Sequence, residues 1–184
     1  MTRSLLPVTA AAAAQPVVRP VLLARLDFAS GPVCVTSAPF DLTLNDETYL
    51  GVGTLGGVST VAEGAELQSY AISLSLSGIP PELVQLALSD PAQGRDARLW
   101  LLLLDEDHRA VGQAVLLFRG RIDTMTVALG NTATITLGVQ SRLADWERPR
   151  VRRYTHEDQK AEYPADRGFE FIAQMAEKTI YWGR

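Results

Sequence analysis

The chain has 184 residues, of which 47% are hydrophobic and 21% charged, a composition typical of a folded protein rather than a disordered or membrane-embedded one. A chain of this length forms one domain or two small ones and buries roughly 70% of its unfolded surface. The formal net charge of −4 gives no overall field that would gather nucleic acid or anionic lipid. The single cysteine, Cys34, excludes an internal disulfide and a clustered-thiolate metal site, and we expect it to be a small core residue.

Residues 1–20 are predicted to form an arm. Arg3 and the apolar stretch from Leu5 to Ala14 together look like a short signal peptide. Pro7 and Pro16 argue against a membrane-spanning helix, and we expect no membrane anchor. A low-complexity Ala/Pro stretch cannot build a core of its own, so an ordered arm must be held by something outside it.

Residues 21–145 carry the strand signals. In Ile72–Ser77 the apolar side chains fall on one face and the serines on the other, and residues 133–137 repeat this pattern with threonines. Such two-residue alternation predicts half-buried antiparallel strands whose hydroxyl faces meet solvent or a partner. Further strand candidates are Val21–Phe28 and Phe40–Leu44.

A hairpin is predicted in the middle of this region. The apolar run Leu99–Leu104 and the stretch Val115–Phe118 flank a polar loop at residues 105–109, which indicates two strands buried on both faces. Residues 119–129 continue as a long strand that turns at Gly130–Asn131, where glycine and asparagine tolerate the positive φ of a tight turn. The total is six to eight strands.

Helices are few in the prediction. One short helix opens at Pro80, because proline is tolerated in the first helical turn. A second begins with Asp166 as its N-cap and carries one apolar stripe, formed by Phe169, Ile172, Met175 and Ala176. The character of the chain changes near Trp146, and residues 146–184 are predicted to be a C-terminal extension. The fold class is therefore mainly β, an antiparallel β-barrel or sandwich with one or two short helices and extended terminal arms.

Motifs that would carry chemistry are weak or absent. Gly51–Gly56 has the spacing of a dinucleotide-binding glycine motif, but strand-like sequence follows it where a helix is needed, so we interpret it as a bend. His156 lies beside two acids, yet adjacent side chains rarely point at one metal, and a solvated loop is favoured. Ser141–Asp145 contains a serine and an aspartate but has no nearby histidine to activate a nucleophile. The acids of residues 105–107 are expected at the tip of a loop, facing solvent. We predict no enzyme and no catalytic, cofactor-binding or metal residue.

Arginine is used far more than lysine, since Lys160 and Lys178 account for two of the 17 basic residues and the other fifteen are arginines. Arginine suits fixed ion pairs, although a GC-rich genome produces the same bias. The cluster from Arg142 to Arg153 could contact DNA phosphates, but ion pairing between subunits is favoured, because Pro149 prevents a basic helix and acids surround the cluster. The interface candidates are Arg148, Arg150, Arg152, Arg153, Tyr181 and Trp182.

Four stretches of the sequence resemble a known family. They are FRGRIDTM at 118–125, the threonine strand at 133–137, SRLADWERPRVRRYT at 141–155 and YPADRGFEF at 163–171. They look like a tail-protein family of siphophages and prophages, and they are similar to the domain that begins the hub protein of gene transfer agents. The resemblance covers roughly residues 21–184, and none of the stretches is a chemical motif.

The resemblance implies a β-barrel-like baseplate hub domain that helps to close the distal end of the tail tube around a central channel. Hub proteins of this type form trimers, whereas the adjoining distal tail ring is hexameric. We therefore expect a virion protein at the distal end of the tail, assembled in the host cytoplasm, as a trimer or alternatively a hexamer. The implied partners are the distal tail ring, the tail tube and the central hub or fibre proteins. DNA would be met only indirectly, in the channel, and no cofactor is implied.

An alternative function is a carbohydrate-binding module at the host-facing tip of the tail. Exposed aromatic rings are the usual stacking platforms for sugars, and Trp100, Trp146 and Tyr154 are the candidates. Trp100 lies in an apolar run and is expected to be part of the core.

Overall fold

A computed structural model describes residues 5–51, 55–64, 66–78, 85, 91–130, 133–147, 151–175, 178–179 and 183. The described strands are β1 Arg19–Phe28, β2 Gly31–Thr36, β3 Leu42–Leu44, β4 Glu47–Tyr49, β5 Leu55–Val58, β6 Ala71–Ser77, β7 Asp96–Leu104, β8 Ala110–Ala128 and β9 Thr134–Ser141. The helices with described bounds are α1 Pro7–Ala13, α2 Ala144–Glu147, α3 His156–Glu162 and α4 Ile172–Met175. The chain divides into two units, Met1–Glu147 and Arg148–Arg184.

The first unit is built on one antiparallel sheet. Its described strands follow the order β2-β1-β7-β8-β9-β6-β5, and β3 and β4 pair as a separate hairpin. A flat sheet would place β2 and β5 roughly 29 Å apart, because neighbouring strands are separated by about 4.8 Å. One apolar core nevertheless contains Val35 of β2 and Leu55 of β5. The sheet therefore curves around this core, and the described strands leave it open, since β2 and β5 are not paired with each other.

A second apolar cluster lies on the opposite face of β1, β2 and β7. Alternation along β1 sends Ala24 and Leu26 into the main core and sends Val21 and Leu23 into this second cluster. The β3–β4 hairpin covers the cluster with Leu42 and Tyr49, and the two layers make the arrangement sandwich-like. The predicted mainly β, antiparallel fold class is thus confirmed.

Most of the predicted strands are present. The serine and threonine strands are β6 and β9, and they pair with each other in antiparallel register. The two stretches predicted at 115–118 and 119–129 are in fact one strand, β8, of 19 residues. This strand pairs with β7 over its first half and with β9 over its second half.

Two details of the strand prediction are wrong. The described strands number nine rather than six to eight. The strands without a predicted counterpart are β2, whose sequence GPVCVT has no two-residue alternation, and β4, whose three residues are too few to show a period. Burial on both faces holds for Leu102–Leu104 but not for β8, where Leu116, opposite Trp100, is 43% exposed. The bulge between Leu99 and Trp100 shifts the β8 side chains relative to those of β7.

The N-terminal arm is not extended throughout, because Pro7–Ala13 form a helix that contacts β7 and β8 of its own chain. Proline suits the first turn of a helix, since its missing N–H would have no partner there. The helix buries Thr9 almost completely and packs it against Gly112 of β8. A single helix of seven residues is unstable alone, so this contact holds the helix in place.

Replacing Gly112 with alanine is expected to release α1. The new Cβ would overlap the Thr9 hydroxyl, and Gly112 has a φ of +70°, which disfavours any side chain. Gly94 is the control, because its φ is +81° but nothing lies within 4 Å of its Cβ position. Proteolysis should cleave the arm much faster in Gly112→Ala than in Gly94→Ala. Equal cleavage rates would contradict the packing role of Gly112.

The second unit contains α3 and α4. Thr155 is the N-cap of α3 and accepts a hydrogen bond from the Asp158 N–H at 3.3 Å. Sequence reasoning missed this helix, because its residues HEDQKAE have no apolar stripe. The helix predicted from Asp166 is too long: α4 begins at Ile172, and the Asp166 carboxylate instead accepts the Gly168 N–H at 2.8 Å in a turn. The helix predicted at Pro80 lies outside the described residues.

Candidate assembly surfaces

A row of three arginines crosses β1, β7 and β8 on the face opposite the main core. Arg25 lies opposite Arg98 in the pairing of β1 with β7, and Arg98 lies opposite Arg119 in the pairing of β7 with β8. Directly opposite side chains on antiparallel strands have Cβ atoms roughly 5 Å apart, and like charges there destabilise the pair. Acidic neighbours must therefore compensate for this arginine row.

The first arginine of the row is compensated by two acids. The Arg25 Nε donates a hydrogen bond to the Asp27 Oδ1 at 2.8 Å, and its Nη1 lies 2.6 Å from the Glu47 Oε1. The hydrogen bond with Asp27, together with the charges of both acids, raises the pKa of Arg25 above its ordinary value. Glu47 belongs to β4, so this ion pair also fastens the β3–β4 hairpin to the sheet.

The other arginines gather around one carboxylate. Asp96 lies 3.1 Å from Arg119, 3.9 Å from Arg98 and 4.0 Å from Arg121, and Arg121 also lies 3.2 Å from Asp145. These side chains are a third to nearly half exposed, and isolated pairs of that kind contribute little stability. The network instead fixes the positions of charges on this face. Sequence reasoning missed it, because the strand register decides which distant residues meet.

A line of hydroxyl side chains crosses the outer face of β6, β8 and β9, where the register places Ser75, Thr136 and Thr126 side by side. Thr126 and Thr136 are exposed, and Ser75 is half-buried. The predicted hydroxyl faces of these strands are confirmed. These three side chains carry no formal charge, whereas Arg121 lies opposite Gln140 in the same strand pair and Asp123 accepts a hydrogen bond from the Gln140 side chain at 2.8 Å.

An apolar groove runs between the exposed side of α1 and the β7–β8 hairpin. The groove has a volume of about 560 Å³ and is lined mainly by Val8, Ala12, Val17, Leu103 and Val111. Val8 is 59% exposed and Val17 is 64% exposed. We call this depression the α1 groove. Asp105 and Glu106 of the hairpin loop also line it, so its rim is partly acidic.

The six interface candidates lie in the second unit. Arg148, Arg150, Tyr181 and Trp182 lie outside the described residues. Arg152 forms ion pairs with Asp158, at 2.9 Å, and with Glu162 within its own unit. The hydrogen bond and charge of Glu162, followed by the charge of Asp158, raise the pKa of Arg152. The side chain of Arg153 is exposed, and its backbone N–H donates to the Asp158 carboxylate at 3.4 Å.

The described part of the second unit buries none of its large apolar side chains completely. Val151 is 87% exposed and Tyr154 is 83% exposed, although the Tyr154 ring lies 5.8 Å from the ring of Phe169. Order in this unit comes largely from polar contacts, such as the two hydrogen bonds from Arg167 to Glu170 at 2.9 and 2.7 Å. These hydrogen bonds lower the pKa of the Glu170 carboxyl.

The cysteine is buried, as predicted, in the second apolar cluster. Its Sγ lies 3.9 Å from the Glu47 Oε2. Burial, followed by the negative charge of Glu47, raises the pKa of the Cys34 thiol to about 11. Burial likewise raises the pKa of the nearby Tyr49 to about 12. A thiol held neutral in this way is a poor nucleophile.

We expect the protein to lose stability above pH 9. The pKa of Cys34 is higher in the folded chain, at about 11, than the ordinary value of 9.0. The unfolded chain therefore releases the proton first, so stability is fully present below pH 9 and falls as the pH rises towards 11. Urea unfolding at several alkaline pH values should show a shallower loss for Cys34→Ala than for the unaltered chain. Parallel losses would contradict this assignment.

The other sequence motifs are placed as follows. The Gly51 N–H donates to the Asp41 Oδ1 at 2.8 Å, and strand β5 rather than a helix begins at Leu55, whereas residues 52–54 of the predicted bend lie outside the described residues. Asp105 accepts a hydrogen bond from the Arg109 N–H at 2.7 Å and closes the hairpin loop. His156 opens α3. Among the described residues, no group of three or more histidine, cysteine or acidic side chains could hold a metal ion.

No helix within the described part of the chain is both long enough and apolar enough to span a membrane.

Comparison with known proteins shows that the fold of this chain resembles that of a solved structure. No family model matches the sequence, and no curated protein matches it. Among solved structures, the chain is similar to a chain in the virion of a native gene transfer agent (GTA) particle, with 17% sequence identity and a TM-score of 0.60. The match covers 82% of this chain and 49% of the other, so the protein spans about half the length of that chain. At this identity the likeness shows the fold alone.

Proposed function

We propose that this protein is a structural component of a phage-type virion. The observation that carries the proposal is the likeness of fold, over 82% of the chain, to a chain of a gene transfer agent virion. The surfaces agree with such a role, because the molecule presents an ordered charge network, a line of hydroxyl side chains and an apolar groove. The proposed role is geometric and requires no catalysis and no cofactor.

Within the virion, we propose a position at the distal end of a siphophage-type tail, as a baseplate hub protein that closes the tail tube. The resemblance of residues 118–125, 141–155 and 163–171 to tail-tip proteins supports this finer assignment. The subunits would form a trimer, or a hexamer if the chain belongs to the distal ring. The distal ring, the tail tube and central hub or fibre proteins would be its neighbours, and DNA would pass through the channel.

Symmetry-resolved microscopy of intact particles tests this proposal. Density for this chain at the tail tip with three-fold symmetry is the expected result for a hub. Six-fold density at the same place would keep the virion role and move the chain to the distal ring. Particles that lack the chain, or that carry it in the head, would overturn the tail-tip assignment.

A second candidate, carbohydrate binding at the tail tip, is favoured by two exposed aromatic side chains. Trp146 is 81% exposed and Tyr154 is 83% exposed, and both could stack on sugar rings. Trp100 is less suitable, because it is half-buried against the second apolar cluster. Binding of the isolated chain to a glycan array, lost in Trp146→Ala, would favour this function. Copurification with tube and ring proteins would favour the hub.

A further inference from the structure

The N-terminal arm is fixed to its own chain by one buried side chain. Within residues 5–18, all of which are described, Thr9 is 4% exposed, Ala12 is half-buried and the other side chains are exposed. Thr9 packs against Gly112 of β8. A helix of seven residues is unstable alone, so α1 needs this contact, or an equivalent one, wherever it is ordered.

The site that receives Thr9 is a feature of the sheet. The pairing of β7 with β8 shifts register between Leu101 and Leu103, and Gly112 lies in the resulting bulge with a φ of +70°. A Cβ at Gly112 would occupy the space of the Thr9 hydroxyl. Leu103 and Val111 line the α1 groove beside it, and we call these two side chains and Gly112 the arm seat. Every copy of the chain carries the same seat, so α1 of any copy fits it.

A short hinge joins α1 to β1. The hinge consists of residues 14–18, and all of its side chains are exposed. Its second residue, Gln15, donates its N–H to the Ala12 carbonyl at 3.2 Å. Pro16 has no N–H and favours an extended conformation of Gln15. Five extended residues span up to about 17 Å, so straightening the hinge carries α1 away from its own seat at a small cost in contacts.

The exposed apolar side chains of the arm favour a partner over the single chain. Leu6 and Val8 of the arm and Val17 of the hinge are 46%, 59% and 64% exposed, and exposed apolar clusters mark interaction sites more often than single exposed residues do. When two copies exchange their arms, their straightened hinges can lie side by side and cover Val17 and Val18. A single chain cannot form this contact.

We propose that α1 is an exchangeable arm, which docks in the arm seat of a second copy when two copies lie side by side. The docked contacts are the same in both arrangements, so the balance depends on the effective concentration of the arm at its own seat, which is roughly millimolar for short flexible linkers. The contact joins two different surfaces of identical chains and produces a ring when the rotation closes. The exchange goes beyond the proposed function and needs only two copies, whereas the ring rests on that function.

Crosslinking of a mixture tests the exchange. In a Cys34→Ala background, one chain carries Val8→Cys on the arm and the other carries Val111→Cys beside the seat; both positions line the α1 groove. Because neither chain contains both cysteines, a short bis-maleimide can join these two positions only between chains. After a brief pulse, the yield of joined peptides at about 1 mM should exceed that at about 0.01 mM by at least about tenfold. A chain with both substitutions should crosslink within itself when dilute, which shows that the reagent spans the groove.

Two matched controls separate docking from collision. Leu129→Cys replaces the acceptor thiol beside the seat with one at the other end of β8, where the side chain is 73% exposed, so its yield measures chance encounters. Gly112→Ala in the Val111→Cys chain closes the seat and should lower the yield to that of the Leu129→Cys acceptor. Gly94→Ala should leave the yield unchanged, because Gly94 also has a positive φ but no atom lies within 4 Å of its Cβ position. Thermal melts confirm that each variant is folded.

Hinge length provides a second test that leaves the arm and the seat intact. Deleting Pro16 and Val17 makes the chain's own seat harder to reach and should make the protein dimeric or larger in sedimentation at concentrations where the unaltered chain is a monomer. Inserting about six Gly/Ser residues after Gln15 slackens the hinge and should keep the chain monomeric. An arm that is merely adhesive would associate equally in both variants, and that result would contradict the exchange.

Two crosslinking results would also overturn the exchange. One is a double-cysteine chain that crosslinks within itself while the mixture gives no product above the collision control at about 1 mM. The other is a product whose yield Gly112→Ala does not lower. Either result leaves the proposed function standing if microscopy finds the chain at the tail tip. Conversely, seat-dependent exchange by a chain that is absent from virions would support the arm and defeat the proposed function.

Discussion

Gly120→Ala is expected to destabilise the protein by about 3 kcal/mol, the upper end of the usual cost of overpacking. Gly120 lies opposite Ser141 where β8 pairs with β9. A Cβ at this position would overlap the backbone carbonyl of Gln140. Backbone cannot rotate away as a side chain can, so the two strands must separate locally. Urea unfolding measures the change in free energy.

Gly57 provides the control for this substitution. It also lies in a strand, but the nearest atom to its Cβ position is the Ser75 Cβ at 3.9 Å, an ordinary contact. Gly57→Ala should change stability by only about 0.5 kcal/mol, through the lower entropy of the unfolded chain. If both variants unfold at the same urea concentration, the close approach of β8 and β9 does not explain why residue 120 is a glycine.

Leu137→Ala is expected to cost about 3 kcal/mol, within the range found for leucine truncation in a packed core. Leu137 is fully buried in β9, between Met125 of β8 and Leu74 of β6. Truncation would leave a cavity at the centre of the main core, where neighbours from three strands cannot all move inwards. Thermal and urea unfolding should both show the loss, with unchanged secondary structure at low temperature.

Leu129→Ala is the matched control for this truncation. The same atoms are removed, but the Leu129 side chain is 73% exposed, so little apolar contact is lost and the change should stay within about 0.5 kcal/mol. A large cost at Leu129, or none at Leu137, would show that the main core lies elsewhere than in the curved sheet.

Strand prediction succeeded where the period was long enough to read. Six alternating residues in β6 and five in β9 specified both the strands and their exposed hydroxyl faces, because a two-residue period directly determines the face on which a side chain lies. Strand β4 contains only three residues and shows no period, and β2 has no two-residue alternation. Both strands form because neighbouring strands supply their hydrogen bonds.

The helices were harder to predict for different reasons. Helix α1 lies in an alanine-rich stretch that was interpreted as an arm, and its stability comes from the contact between Thr9 and Gly112 rather than from its own pattern. Helix α3 is polar on every side and depends on its Thr155 cap and on ion pairs. Neither kind of support is visible as hydrophobic periodicity.

By itself, the sequence determined the mainly β class, the faces of the central strands, the burial of Cys34 and the resemblance to tail proteins. Each of these depends on residues that are adjacent or two apart, or on the order of residues within a segment. Only the tertiary structure decided that Arg25, Arg98 and Arg119 form one row, that Asp96 gathers three arginines, and that α1 borders an open apolar groove. These features join residues that are distant in the chain, and strand register and sheet curvature, rather than local periodicity, bring them together.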